Sequence, residues 1–565
     1  MALFDEEKQN KQLDDLRKEE EEQLIATLAE SKYGLPYINL SRLGVDNEAL
    51  RAISEKESRE MNVGAFKLFG KNIFIALHSP TDDLMKKLKE DMERKSLIPT
   101  FYMASTASIN KVWDRYKEIS MAENSDVGSL SISGEVLRET AKQIQKIQDI
   151  EKIATEALEG NKIHKISHLL EIILAGAIAI KASDIHIEPE KDRGRLRLRL
   201  DGVLQDINFF GLDIYRLLNS RIKLLSGMKL TSKIAQDGRF SIEEEKEEIN
   251  IRTSLIPGAY GESIVMRILD PKSIQVKLEE MGIDPFLFSV IEQEIAKPNG
   301  MILVTGPTGS GKTTTLYAFL RKIYSPEIKI ITIEDPVEYH LTGVTQTQTN
   351  EEKGYTFLEG LRSALRQDPD VVMVGEIRDK ETAETAIQAA LTGHIIFSTL
   401  HTNNAAGVIP RLIDLGVNPK ILVSALSLSI AQRLVRKLCP SCKVEKAPAE
   451  KELEIIKLIM NGIKEEGKSL SNYNINPDAP LKFFAPVGCE KCNMIGYKGR
   501  MGIFEAIKTD EAIEKIIPEN PSEREIKRVA KMQGILSMRQ DGVVKILNGT
   551  TSIEEVRSVV DLGEE

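Results

Sequence analysis

Three observations predict that this 565-residue chain is an α/β protein built round a parallel sheet. The run MILVTG, Met301 to Gly306, has the pattern of a buried strand and enters a Gly-rich stretch followed by a helical pattern, the strand–loop–helix order of a phosphate-binding turn. Further apolar strands, ITIE from Ile331 and VVMV from Val371, recur after it with helical patterns between, as a βαβ succession requires. Third, 41% hydrophobic and 29% charged residues describe a globular chain too long for one core. At roughly 150 residues per domain, three or four units are expected.

The chain divides as follows. Residues 1–30 form a charged arm with Leu13, Leu16, Leu24, Ile25 and Leu28 at helical spacing, read as a solvated helix or mobile arm. Residues 31–120 alternate short strands such as NIFIAL with polar helices, a small α/β domain. Residues 121–151, rich in Ser, Gly and charge, read as a linker. Over 152–275 the period-2 patterns DIHIEP and RLRLRLDGVL mark a mixed domain with charged outer faces. Residues 276–435 hold the phosphate loop, 436–500 the cysteines, and 501–565 a helical tail. The start MALFDEEKQNKQ lacks the basic and apolar regions of a secretory signal, and LLEIILAGAIAI from Leu169 falls short of a span of about 20 residues. A cytoplasmic chain is expected. The net charge of -10 disfavours nucleic acid as a partner.

The motif G-x-x-x-x-G-K-[ST] is met in full by Gly306, Pro307, Thr308, Gly309, Ser310, Gly311, Lys312 and Thr313, with Thr314 next. Backbone N–H groups of such a loop curl round phosphate oxygens, Lys312 reaches the β and γ phosphates, and the Thr313 hydroxyl is offered to Mg2+. At the exit of the next strand stand Glu334, Asp335 and Glu338, carboxylates that need a cation, a basic side chain or water. In VVMVGEIRD, Gly375 stands where most phosphate-loop ATPases carry a magnesium-holding Asp, and Glu376 follows. Arg362 and Arg366 lie one helical turn apart. His394 and His401 bracket a strand, His401 at the exit, where ligands bind in parallel sheets. Cys439 and Cys442 form one C-x-x-C pair, and Cys489 and Cys492 another. Each pair can bite one metal, and four thiolates suit a closed, tetrahedral Zn2+ site that stabilises a fold. His164 and His168 lack the Glu of a zinc-protease motif, and Trp113 reads as a packing anchor.

In order, GPTGSGKT, ITIEDPVEY, RQDPDVVMVGEIRD and TGHIIFSTLHT resemble the Walker A, Asp box, Walker B and His box of the secretion ATPase superfamily that drives type II secretion and type IV pilus assembly. Gly before Glu is that family's ordinary Walker B. The resemblance implies a RecA-like phosphate-loop core in which Glu338 activates the attacking water. It has Glu376 support Mg2+ through water, with Glu334 and Asp335 nearby, and has His401 sense or contact the phosphates. Which carboxylate is the base stays open. ASDIHIEP, LRLRLDG, QDGRF and RTSLIPGAYGESIVMRILD match the family's second amino-terminal domain, PAS-like, which closes over nucleotide. Arg252 and Arg267, with Arg362 and Arg366, match the arginines that it brings to the phosphates. GYKGRMGIFE after the cysteines matches assembly-type members, which carry the zinc module that retraction-type motors lack. The first amino-terminal domain docks on membrane-associated partners in relatives, and some versions bind a cyclic dinucleotide, a motif not clearly completed here.

The implied protein is a cytoplasmic homohexameric ATPase at the periphery of the inner membrane, using ATP and Mg2+. It would drive a platform protein for type IV pilus assembly, with type II secretion as the alternative and an adaptor bound through the amino-terminal domain. A nucleotide-gated scaffold and a DNA translocase are the weaker readings.

Overall fold

The computed structural model describes residues 22, 24–40, 45–69, 71–95, 97–123, 134–159, 165–230, 234–244, 247–270, 276–468, 470–473, 475 and 480–563. Residues 1–21 of the expected arm, residues 124–133 of the expected linker, and His164 lie outside them. The chain separates into two compact units, 1–130 and 131–565.

The first unit holds β1 (Val63–Phe69), β2 (Asn72–Leu77) and β3 (Ile98–Met103) in that order, β1 antiparallel and β3 parallel to β2. Parallel pairing needs a crossover, which helix Asp82–Arg94 supplies, its N-terminus closed by Thr81 Oγ1 accepting from Leu84 N at 3.3 Å. Trp113 is an anchor as expected, its indole donating to Ser58 Oγ at 3.1 Å and Val63 O at 3.0 Å. The end of the arm is solvated on one side only: Leu24 and Leu28 are exposed, while Ile25 and Ala29 are buried against Met103, because an amphipathic helix has a face to bury.

In the second unit the first sheet is antiparallel throughout. It contains β4 (Asp184–Pro189), β5 (Arg193–Leu200), β6 (Val203–Gly211), β7 (Gln236–Glu244), β8 (Glu247–Pro257) and β9 (Glu262–Leu269), in the order β6-β5-β4-β9-β8-β7. Period 2 in RLRLRL sorts its faces: Leu196, Leu198 and Leu200 go into the core, Arg195, Arg197 and Arg199 outward. On the outward face a single registered row reads Arg239, Arg252, Arg267, Asp184, Arg199. The expected linker is corrected here. Residues 134–151 are mostly helical, and helices Gly134–Gln143 and Ile147–Glu159 place Leu137, Ile147 and Ile150, with Ile144 between them, in this sheet's core. Few apolar residues sufficed because both helices and the turn between them present theirs to the same core.

The second sheet contains β10 (Gly300–Thr305), β11 (Ile330–Glu334), β12 (Thr345–Gln348), β13 (Val371–Val374), β14 (Ile395–Leu400), β15 (Leu426–Leu438) and β18 (Tyr497–Lys508). The short pair β16 (Val444–Glu445) and β17 (Phe484–Ala485) lies between β15 and β18 in the chain. The order is β12-β11-β13-β14-β10-β15-β18, parallel except for β18. Met301 and Leu303 pack into one core and Ile302 and Val304 into another, which is why β10 reads as a continuous apolar run. Two expected boundaries are corrected: β15 crosses 435/436 and β18 crosses 500/501, so the cysteine segment is carried between two strands of the main sheet. Among the described residues no helix is long and apolar enough to cross a membrane.

Ile150 is fully buried between helices. Ile150→Ala is expected to destabilise the 131–565 unit by about 2–5 kcal/mol, read as a lower melting temperature; an unchanged one would return the segment to linker.

Candidate active site

β10 delivers its chain into the Gly-rich loop at the carboxyl edge of the sheet. Gly306 has φ 145, and a Cβ there would stand 2.6 Å from Gln432 O, so only glycine lets the loop pass this close to β15. Helix Lys312–Ile323 begins at Gly311 with no side-chain cap, leaving its first N–H groups for an anion. Thr308, Gly309, Gly311, Lys312, Thr313 and Thr314 line a cleft of about 460 Å³. Gly306 and Pro307 contribute carbonyls, which accept from Lys312 Nζ at 2.9 and 3.1 Å. Burial pushes the Lys312 ammonium down, Glu376 opposing and Arg433 adding to the shift. Ser310 is buried and turned from the cleft, its carbonyl accepting from Gln432 Nε2 at 2.6 Å.

Across the cleft lie Glu334, Asp335, Glu338, Gly375, Glu376, His401 and Arg267. Glu338 pairs with Arg252 at 3.1 Å, and the same guanidinium donates to Val337 O at 2.7 Å. An arginine of the first sheet thus holds a carboxylate of the second. Arg267 and Arg199 share the buried Asp184 at 3.0 and 3.3 Å. Glu376 Oε2 meets His401 Nε2 at 3.1 Å, and Oε1 pairs with Arg378. Thr313 and Glu376, a hydroxyl and a carboxylate on one cleft, are hard oxygen donors that suit Mg2+.

Gly375 sits in a slot that is tight for a side chain. Its N–H donates to Ile333 O at 2.8 Å, its carbonyl accepts from Thr399 Oγ1 at 2.8 Å, and a Cβ would lie 3.1 Å from Phe357 Cε1. An Asp here would have to displace the Phe357 ring.

Three placements differ from expectation, and that of His394 agrees with it. Glu334 gives its oxygens to protein donors, Tyr317 Oη, Thr332 Oγ1 and Gln346 Nε2; burial raises its carboxyl against these bonds, so it anchors the strand end rather than facing a magnesium shell. Arg362 and Arg366 are exposed, bonded to Glu359 at 3.1 Å and Ser363 Oγ at 3.0 Å, and do not line the cleft. Their helix turns Leu361 and Ala364 inward, which puts both arginines outside. His394 lies at the other end of β14 from His401, its Nδ1 donating to Ala389 O at 3.0 Å.

The sequence reading missed Gln432, Arg433 and Arg378. Gln432 is fully buried and holds the loop from β15, donating to Ser310 O and accepting from Thr315 Oγ1 at 2.7 Å. Arg433 donates to Asn403 O at 2.6 Å. A polar residue in a long strand was the available signal. A second cavity of about 450 Å³ shares Gly311 and Thr314 with the cleft and is lined also by Met281, Leu434, Arg500 and Phe504.

The four cysteine sulfurs lie within 4.8 Å of one another. Cys439–Cys489, Cys442–Cys492 and Cys489–Cys492 are 3.9, 3.8 and 3.8 Å apart. Four sulfurs each about 2.3 Å from one zinc would be roughly 3.8 Å apart, so the cluster fits the ion. Backbone N–H groups of Cys489 and Gly496, each 3.2 Å from Cys492 Sγ, overcome burial and bring that thiol down to about 7.

A family model described as type II/IV secretion system protein matches residues 159–558. The chain belongs to this family. The resemblance read from the four sequence blocks is borne out. The chain is 45% identical over 405 residues to the type II secretion system protein E of Aeromonas hydrophila, covering 72% of this chain and 77% of that one. It is 34% identical over 546 residues to the type IV pilus assembly ATPase PilB of Myxococcus xanthus, covering 95% and 91%. In fold this secretion-family chain is similar to the ATPase DotB of Yersinia pseudotuberculosis, with TM-score 0.50 and 21% identity over 70% of this chain and 94% of that one.

Gln432→Leu removes two buried hydrogen bonds, one to the phosphate loop at Ser310 and one to Thr315 of the helix after it. It is expected to weaken nucleotide binding by about 1–3 kcal/mol, measured with a fluorescent ADP; wild-type affinity would deny Gln432 its role.

Proposed function

We propose that this chain is a motor ATPase that hydrolyses ATP to power type IV pilus assembly at the inner membrane. The observation that supports this most is the cleft itself: a phosphate loop faces Glu338 and Glu376, and Glu338 is held by an arginine from a separate sheet.

The phosphates lie on the loop N–H groups and the helix N-terminus, and Lys312 leaves the Gly306 and Pro307 carbonyls for them. The base and ribose occupy the neighbouring cavity past Gly311 and Thr314. Thr313 and Glu376 hold the magnesium, which supplies charge neutralisation at the phosphates. Arg252 turns from Glu338 to the γ phosphate, and Glu338, so released, takes a proton from water. The water oxygen bonds to the γ phosphorus as the bond to the bridging oxygen breaks, leaving ADP and phosphate. Because Arg252 rides on β8, its turn draws the first sheet toward the second, and this closure is the power stroke.

In the proposed homohexamer, Arg362 and Arg366, which face outward here, serve the site of a neighbouring copy. The platform protein receives the motion, and an adaptor docks on the first unit. The four cysteines hold a structural zinc.

The pilus reading draws on the PilB relative, which is matched along 95% of this chain. Type II secretion is the second reading, favoured by the 45% identity to protein E. Complementation of a strain lacking the pilus assembly motor, against one lacking the secretion motor, separates the two.

Glu338→Gln and Glu376→Ala are expected to bind nucleotide but lose most phosphate release, and Arg252→Ala to lose about a thousandfold or more in kcat. Unchanged turnover in Glu376→Ala would sink the assignment. Chelation of zinc at neutral pH is expected to lower the melting temperature with a measurable release of metal.

A further inference from the structure

Arg378 is a side chain to which neither the sequence motifs nor the proposed mechanism gives a task. Its guanidinium pairs with Glu376 and stands 3.9 Å from Asp335. It also lies over the Phe357 ring, 5.7 Å from its centroid. Glu376 is largely covered, 16% exposed, with His401 on its other oxygen, whereas Arg378 is 53% exposed. Both oxygens of the Glu376 carboxylate are therefore engaged by protein side chains. The two partners differ in how easily they leave. An exposed arginine contributes about 0–1 kcal/mol to a pair, and Arg378 already has a second seat, since the same guanidinium stands near Asp335 and over the Phe357 ring.

We infer that Arg378 is a positioning residue that holds the Glu376 carboxylate in place of magnesium until nucleotide arrives, and then releases it while staying on Asp335 and the Phe357 ring. This rests on the proposed role of Glu376 in the magnesium site. The arginine keeps the carboxylate oriented and neutral while the cleft is empty, so the site does not gather divalent cations without nucleotide. Its cost is paid as competition: part of the affinity of magnesium for the nucleotide-loaded site is spent displacing a guanidinium.

The test is the ratio of ADP dissociation constants measured without and with saturating Mg2+, using fluorescent ADP and the full-length protein. The ratio isolates magnesium coupling from nucleotide affinity. Arg378→Gln removes the competitor and is expected to raise the ratio by about two- to fivefold, with ADP affinity in EDTA unchanged. Arg378→Lys restores a cation and is expected to return toward wild type. Asp335→Asn weakens the second seat and is expected to lower the ratio. An unchanged or smaller ratio in Arg378→Gln overturns the inference. Should that variant fail to fold, Asp335→Asn decides, and an unchanged ratio there overturns it equally. If the wild type binds no ADP under either condition, the nucleotide reading itself fails, a result distinct from both.

Discussion

The pairing of Arg252 with Glu338 is the interaction on which the second unit's design depends. Parallel strands that end together bring carboxylates into a common cleft, and such groups are costly unless each meets a counter-charge or a donor. Every carboxylate round the phosphate loop has one: Arg252 for Glu338, Arg378 and His401 for Glu376, and three neutral donors for Glu334. A nucleotide brings several negative charges into this balance, so cations must be redistributed when it binds. One of those cations belongs to another sheet, which is why the proposed rearrangement in the cleft would move the two sheets relative to each other.

Much of the site was legible because phosphate chemistry fixes residue types at close sequence spacing. The loop from Gly306 to Thr313 and the carboxylates at strand exits need only local order to be recognised, and Gly375 was readable as ordinary once its neighbours were known. What the sequence hid depends on long-range placement. Gln432 reaches the loop across a strand pairing more than a hundred residues away in the chain. Arg362 and Arg366 share spacing with functional arginines, yet the inward face of their helix decides that they point away from their own cleft.

The fold shows the same division. Period-2 patterns and the doubly buried β10 were evident from hydrophobicity alone. Segment boundaries were harder, because composition describes a stretch and packing depends on one face of it. Residues 134–151 are polar on average but carry Leu137, Ile144, Ile147 and Ile150 on the side that matters. Likewise, the two cysteine pairs suggested a separate module, whereas they hang between β15 and β18, strands that belong to the main sheet.

That attachment has a mechanical consequence. β15 and β18 are laddered from Leu428 and Lys508 to Leu438 and Tyr497, so a tug on the cysteine hairpin draws both strands the same way and is resisted by the bonds of β15 to β10. Such a pair slides little and transmits displacement like a stiff rod. Gln432, which grips the phosphate loop, sits within the same ladder opposite Phe504. One continuous strand thus joins the sulfur cluster at its end to the residue that holds the phosphate loop at its middle.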